Sequence, residues 1–246
     1  MDSGAIFECT DITLDLGGRN ILNGISLQVQ PGEVLGIIGP NGAGKTSLFE
    51  VLSGRLLPKS GSVRFRQRDV TRLPLHSRAR LGIARTFQTP LVPEELTVAE
   101  VLKAARQAYK PYLTPDDAEW GTGLAGFHVS GDKAAEGLDT LERRQLLLGC
   151  LLMRRPTVLL MDEPAAGLIN SEIDALDEIL RVLAKEMNIA VLIVEHRIEL
   201  LETIADRVMV MDAGEVVAQG DLQAVLANPK VRAAYFETVL DDEVVS

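Results

Sequence analysis

Gly39-Pro40-Asn41-Gly42-Ala43-Gly44-Lys45-Thr46 is the stretch that decides how this chain folds. It fits GxxxxGK[ST], with Ser47 following, and it joins an almost wholly apolar run, Val34-Leu35-Gly36-Ile37-Ile38, to a segment of helical character, Ser47-Leu48-Phe49-Glu50-Val51-Leu52, that stops at Gly54. Strand, glycine-rich loop and helix form the context that a phosphate-binding loop requires. The glycines let backbone N–H groups converge on phosphate oxygens, and Lys45 supplies a compact cation for the same oxygens. The Thr46 hydroxyl is placed to ligate Mg²⁺, and the helix N-terminus adds its positive end. By average residue frequencies the pattern arises by accident in roughly one chain in a hundred of this length, so its position between strand and helix carries most of the inference.

Outward from the loop, residues 6–29 alternate apolar and polar around Leu16-Gly17-Gly18-Arg19-Asn20, as two antiparallel strands of a hairpin do. Residues 158–161 and Ala190–Val194 are short and wholly apolar, which predicts strands buried on both faces of a largely parallel sheet. The fold class is therefore α/β. From about Pro90 to Arg155 the composition shifts to Ala, Leu, Glu and Arg around an irregular middle with Pro111 and Pro115, and we read a mostly helical insertion. Within it, Trp120-Gly121-Thr122-Gly123-Leu124-Ala125-Gly126 reads as a solvated loop. Val225-Leu226-Ala227 and residues 231–240 read as outer helical pieces before the acidic Asp241-Asp242-Glu243.

The chain has 246 residues, enough for one large α/β unit, with 25 Lys and Arg against 35 Asp and Glu. A formal charge of −10 argues against nucleic acid and anionic lipid as partners. Cys9 and Cys150 stand in no CxxC or Cys/His pattern, so no disulfide framework or zinc site is expected, and a reducing compartment fits. No charged-then-apolar leader and no run near 18 apolar residues is seen, so any membrane attachment is expected to come through a partner.

Leu159-Leu160-Met161-Asp162-Glu163-Pro164 is an apolar strand delivering two carboxylates at its C-terminal end, where open α/β sheets hold their ligands. Asp162 is placed to hold Mg²⁺ through water, and Glu163 to polarise a water attacking a γ-phosphate. A third apolar strand runs into Glu195-His196, putting His196 on the ligand side. Gln88, in Arg85-Thr86-Phe87-Gln88, stands where the core gives way to the insertion and can reach Mg²⁺ or the attacking water.

The order of phosphate loop, Gln88, Asp162-Glu163 and His196 resembles the ATPases of ABC (ATP-binding cassette) transporters over essentially the whole chain. Residues 82–88, 162–168 and 228–236 are similar to the ATPases of branched-chain amino-acid importers. The resemblance implies a P-loop NTPase (RecA-like) core with an antiparallel β-subdomain over 1–89 and 156–224, an inserted α-helical subdomain over 90–155, and a C-terminal extension over 225–246. It also implies ATP and Mg²⁺ as ligands and a head-to-tail dimer. Transmembrane permease subunits would dock beside Gln88, holding the chain on the cytoplasmic face of the cell membrane.

Two departures stand against the resemblance. Where the family carries LSGGQ, this chain reads Leu138-Asp139-Thr140-Leu141-Glu142, so a carboxylate replaces a phosphate-binding hydroxyl and Leu141 replaces a glycine. Two unit charges 4 Å apart at an effective dielectric near 20 interact by about 4 kcal/mol, so an ionised Asp139 facing phosphate opposes closure on ATP. Leu16 occupies the approximate position where the family stacks an aromatic ring on adenine, and an aliphatic side chain buries the base without stacking. The expectation is a transporter motor paired with a different ATPase whose signature is intact. The alternatives are a regulatory ATP-binding subunit with little turnover and a non-transport ABC ATPase.

Overall fold

The computed structural model describes residues 4–88 and 91–232. In chain order its elements are β1 (Phe7–Leu16), β2 (Arg19–Val29), β3 (Val34–Ile38), α1 (Lys45–Ser53), β4 (Ser60–Phe65), β5 (Arg68–Asp69), α2 (Leu75–Leu81), β6 (Ile83–Arg85), α3 (Val98–Gln107), α4 (Pro115–Leu124), α5 (Thr140–Leu152), β7 (Val158–Asp162), α6 (Asn170–Arg181), β8 (Ala190–Val194), α7 (Ile198–Ile204), β9 (Arg207–Asp212), β10 (Glu215–Gly220) and α8 (Leu222–Leu226). A π-helical turn, Val182–Glu186, extends α6.

The strands form two sheets. One is antiparallel in the order β2-β1-β4-β5, and its first hairpin turns at Gly17-Gly18, whose φ values of 57° and 80° suit a two-residue turn. The other runs β10-β9-β3-β8-β7-β6, with β9, β3, β8, β7 and β6 parallel and β10 antiparallel at one edge. Every residue of β3, β7 and β8 is buried, because both faces of the parallel sheet are covered. Alternation along the strands divides their side chains between the two faces. Leu35, Ile37, Leu160, Leu192 and Val194 join α1 and the β1–β2 hairpin in one core cluster. Val34, Ile38, Leu159, Met161, Val191 and Ile193 join α6 and α7 in the other.

The helices α3, α4 and α5 lie between β6 and β7 in the chain and gather a smaller core of their own, with Val98, Val101, Phe127, Leu138 and Leu146 buried in it. All three begin with a capping box, from Thr97 with Glu100, Thr114 with Asp117, and Asp139 with Glu142. The solvated loop expected at residues 120–126 is corrected here: Trp120 to Leu124 complete α4. Gly121 is a packing residue, since a Cβ there would lie 2.6 Å from Met153 N and 2.7 Å from the Gly149 carbonyl oxygen, and its absence lets α4 and α5 cross closely. Of the C-terminal pieces, α8 and residues 229–232 are helical, while 233–240 and the acidic Asp241-Asp242-Glu243 lie outside the described residues.

Candidate functional site

The phosphate loop leaves the C-terminal end of β3 and is pinned by close backbone approaches. At Gly39, φ is 153° and a Cβ would fall 2.1 Å from the Met211 carbonyl oxygen; at Gly44, φ is 96° and a Cβ would meet Leu22 Cδ2 at 2.9 Å. Gly42, with φ 80°, instead faces open space. Asn41 is exposed, Pro40 half-buried and Ala43 buried against the core. Because Gly44 is the N-cap of α1, no side chain accepts from the first-turn amides, which leaves them to an anionic ligand. Thr46 and Ser47 stand in that first turn. Lys45, only 6% exposed, donates from Nζ to the carbonyl oxygens of Gly39 at 2.6 Å and Pro40 at 3.0 Å. Burial lowers its pKa, against the opposing pull of the Glu163 and Asp162 carboxylates.

Asp162 ends β7, buried, with Oδ2 3.4 Å from Arg85 Nη2. Its other oxygen, Oδ1, is buried with no partner. Burial raises the pKa of this carboxyl, and the Arg85 charge opposes the shift. An orphaned carboxylate oxygen beside a phosphate loop fits Mg²⁺, which is held by one or two protein oxygens together with phosphates and water rather than by a protein cage. Among the described residues no group of three or more His, Cys, Asp and Glu side chains closes on a point.

The chain turns sharply after Asp162. Glu163 adopts a left-handed φ of 46°, a conformation that costs a side-chain-bearing residue on the order of 1–3 kcal/mol. Its backbone N–H donates to the Val194 carbonyl at 2.9 Å. Its carboxylate is gripped on both oxygens: Gln88 Nε2 donates to Oε2 at 2.6 Å, and His196 Nε2 lies 3.0 Å from Oε1. With Glu163 ionised, the second contact requires the hydrogen on His196 Nε2. Gln88, Glu163 and His196, predicted separately from three segments, are thus brought together. Leu16 is not part of this cluster; it stands 42% exposed at the tip of the β1–β2 hairpin.

Three supporting residues escaped the sequence reading. Glu195, buried at the end of β8, accepts from Ala165 N at 2.7 Å and His196 N at 3.1 Å, which fixes the backbone on either side of the cluster. Arg144 reaches from α5 to the carbonyl oxygens of Glu163, at 3.3 Å, and Ala166. Arg85 joins Asp162 to α1. For Arg85 and Glu195 the available signal was a charge at the end of an apolar run, and for Arg144 there was none beyond a charge on a helix; each of the three has a partner far away in sequence.

Residues 22–166, more than half of the chain, match the family model described as ABC transporter. The chain belongs to the ABC transporter family. It is 33% identical to the high-affinity branched-chain amino acid transport ATP-binding protein BraF of Pseudomonas aeruginosa, over 95% of this chain and 98% of that protein. It is 32% identical to the corresponding protein LivG of Escherichia coli, again over 95% and 98%. Among solved structures, the ADP conformation of the ATP-binding cassette MJ1267 superposes with a TM-score of 0.85 at 29% identity, covering 94% of this chain and 98% of that one. As an ABC ATPase, the chain uses ATP with Mg²⁺, an ion that neutralises charge on the β- and γ-phosphates.

Where the resemblance leads one to expect the signature, Asp139 is the N-cap of α5. Its Oδ1 accepts from Glu142 N at 2.8 Å, Glu142 Oε2 accepts from Asp139 N at 3.0 Å, and Lys133 Nζ pairs with Glu142 at 2.8 Å. Leu141 packs against the sheet-and-helix core. It also lines an apolar groove of about 290 Å³ between the cassette core and α5, walled further by Phe87, Cys150, Leu151, Met161 and Leu168. Burial pushes the Cys150 thiol up to about 12, so it is a neutral part of that wall. Among the described residues no helix is long and apolar enough to cross a membrane.

Proposed function

We propose that this chain is the hydrolytic ATPase of an amino-acid-importer-like transporter, working beside a second, different ABC ATPase that carries an intact signature. The observation that carries the reading is a contrast within one chain: Glu163 is held on both oxygens by Gln88 and His196, whereas the first turn of α5 is closed on itself by Asp139 and Glu142. A homodimer would set each well-formed hydrolytic cluster against a self-capped helix bearing an extra negative charge. With a complementary partner, this chain's loop and Glu163 meet open amides, giving one competent site and one impaired site per dimer.

In this reading Gly39 to Ser47 bind the triphosphate, with Lys45 as the cation and Thr46 and Asp162 on the Mg²⁺. Gln88 senses the metal or the attacking water, Glu163 polarises that water and His196 steadies Glu163. Leu16 covers the adenine. The core and β-subdomain occupy 1–89 and 156–224, the helical subdomain 90–155 and the extension 225–246. The apolar groove beside Phe87 receives a short helix of a permease subunit, which holds the chain at the cytoplasmic face of the membrane. The similarity to BraF and LivG over nearly the whole chain supports amino acids as the transported class. Purification of the native complex tests this: a polytopic permease and a second ATPase with a complete signature are expected, and a complex holding two copies of this chain as its only ATPase would refute the pairing.

A further inference from the structure

Arg85 is nearly withdrawn from solvent, its side chain 2% exposed, yet it is not part of the cluster that faces the attacking water. It ends β6, in register with Leu160 of β7. Its Nη1 donates to Ser53 Oγ at 2.9 Å, and its Nη2 lies 3.0 Å from Glu50 Oε1 and 3.4 Å from Asp162 Oδ2, while Nε is buried without a partner. The Phe87 ring covers the guanidinium, 4.9 Å from centroid to Cζ. Burying such a charge is costly unless its partners are fixed, and these partners are informative. Thr46, Glu50 and Ser53 are spaced i, i+4 and i+7, so they share one face of α1.

From this geometry we infer that Arg85 is a positioning residue for the metal. It ties Asp162 to the face of α1 that begins with Thr46, holding Oδ2 so that the unpartnered Oδ1 is the oxygen presented to Mg²⁺. The inference rests on the reading of Asp162 as the metal-side carboxylate and goes beyond it by naming what sets the spacing between the two protein oxygens at the metal. A planar fork suits this task because one rigid group meets a hydroxyl and two carboxylates at once, whereas a lysine ammonium lacks that geometry.

The test uses the full chain saturated with the β,γ-imido analogue of ATP and Mn²⁺ as the metal probe, its free concentration read by electron paramagnetic resonance. Removal of an outer partner of a metal ligand typically weakens metal binding 10- to 100-fold, so Arg85→Gln is expected to weaken Mn²⁺ by about tenfold or more. Analogue affinity in EDTA should stay within about twofold of wild type, a split that general damage to the fold would not give. Arg85→Lys keeps the buried charge without the fork and should fall between, at about fivefold. Mn²⁺ affinity within about twofold of wild type in Arg85→Gln, or in Arg85→Lys should the glutamine variant not fold, overturns the inference, provided Asp162→Asn weakens Mn²⁺. Unchanged Mn²⁺ affinity in Asp162→Asn instead overturns the metal role of Asp162 itself, and the inference falls with it.

Discussion

Asp139 and Glu142 cap each other across the first turn of α5, each carboxylate accepting the other residue's backbone N–H, at 2.8 and 3.0 Å. The first turn of α5, which the proposed reading sets against phosphate on the opposite subunit, is satisfied within the chain and carries two carboxylates. Lys133 balances Glu142 but makes no ion pair with Asp139 among the described contacts. Glu163 is held on both oxygens by Gln88 and His196, while the first turn of α5 is closed on itself.

Opening that turn should restore function to the site it faces. Asp139→Ser with Leu141→Gly removes the carboxylate and frees the backbone, and ATPase activity of the assembled complex is expected to rise, provided the partner's own hydrolytic residues are intact. The single change Asp139→Ala loses a cap and should cost about 1 kcal/mol, a fall of roughly 2–4 °C in thermal midpoint, measurable by calorimetry. No change in midpoint would show that the cap contributes nothing.

The three capping boxes make the helical insertion sensitive to acid. Hydrogen bonds from the Thr97 backbone hold Glu100 below the usual carboxylate range, those from Thr114 do the same for Asp117, and the bond from Lys133 leads the effect at Glu142. A folded-state pKa below the unfolded one gives stability that is present above the unfolded value, near 4, and is lost as pH falls through the folded value. The thermal midpoint should therefore drop between about pH 5 and pH 3, and less steeply in a variant carrying Glu100→Gln, Asp117→Asn and Glu142→Gln. Parallel profiles for the two proteins would contradict this.

Glu163→Gln keeps the size of the side chain but turns one of its two acceptor oxygens into a donor, so one of the bonds from Gln88 and His196 is lost, and in the proposed reading it removes the carboxylate that polarises water. Mg-ATP binding should persist while turnover falls about 10²-fold or more, as expected for loss of a general base. Lys45→Ala removes the ammonium from the mouth of the loop, and ATP affinity should weaken by roughly 10- to 100-fold, the equivalent of one charge-assisted hydrogen-bonding group. Equilibrium binding and single-turnover measurements separate the two effects.

Much of this architecture is legible in the sequence because burial on both faces leaves so plain a trace. The runs at Val34–Ile38 and Ala190–Val194 are strands at the expected residues, and the turn at Gly17-Gly18 falls where the alternation of the hairpin breaks. Residues 120–126 misled because a glycine that lets two helices touch has the same composition as one that loosens a loop; only the position of Gly149 and Met153 across the interface tells them apart. β6 spans three residues, too few to show a period. At the site, the positions of Asp162, Glu163 and His196 are legible because strand ends place them on the ligand side, but a strand end does not say what a charge there will pair with. The roles of Arg85 and Glu195 are not legible, because they depend on Asp162, 77 residues away, and Ala165, 30 residues away.

The Gly121 contact gives a direct check on the helical insertion. Gly121→Ala places a methyl against the backbone of α5 and should destabilise the chain by about 1–3 kcal/mol, as overpacking does. Gly123→Ala, whose Cβ meets nothing within 4 Å, should instead be neutral or slightly stabilising. Chemical denaturation of both variants decides it, and equal effects would refute a close α4–α5 crossing.

The most direct measurement of the whole account is steady-state ATPase activity of this chain alone, set against the complete complex with its second ATPase and permease. The purified chain is expected to be nearly inactive, and the complex active, with activity collapsing on Glu163→Gln here but changing much less when the partner's corresponding glutamate is replaced. Brisk hydrolysis by a homodimer of this chain, at the rate of the complete complex, would contradict the asymmetric pairing.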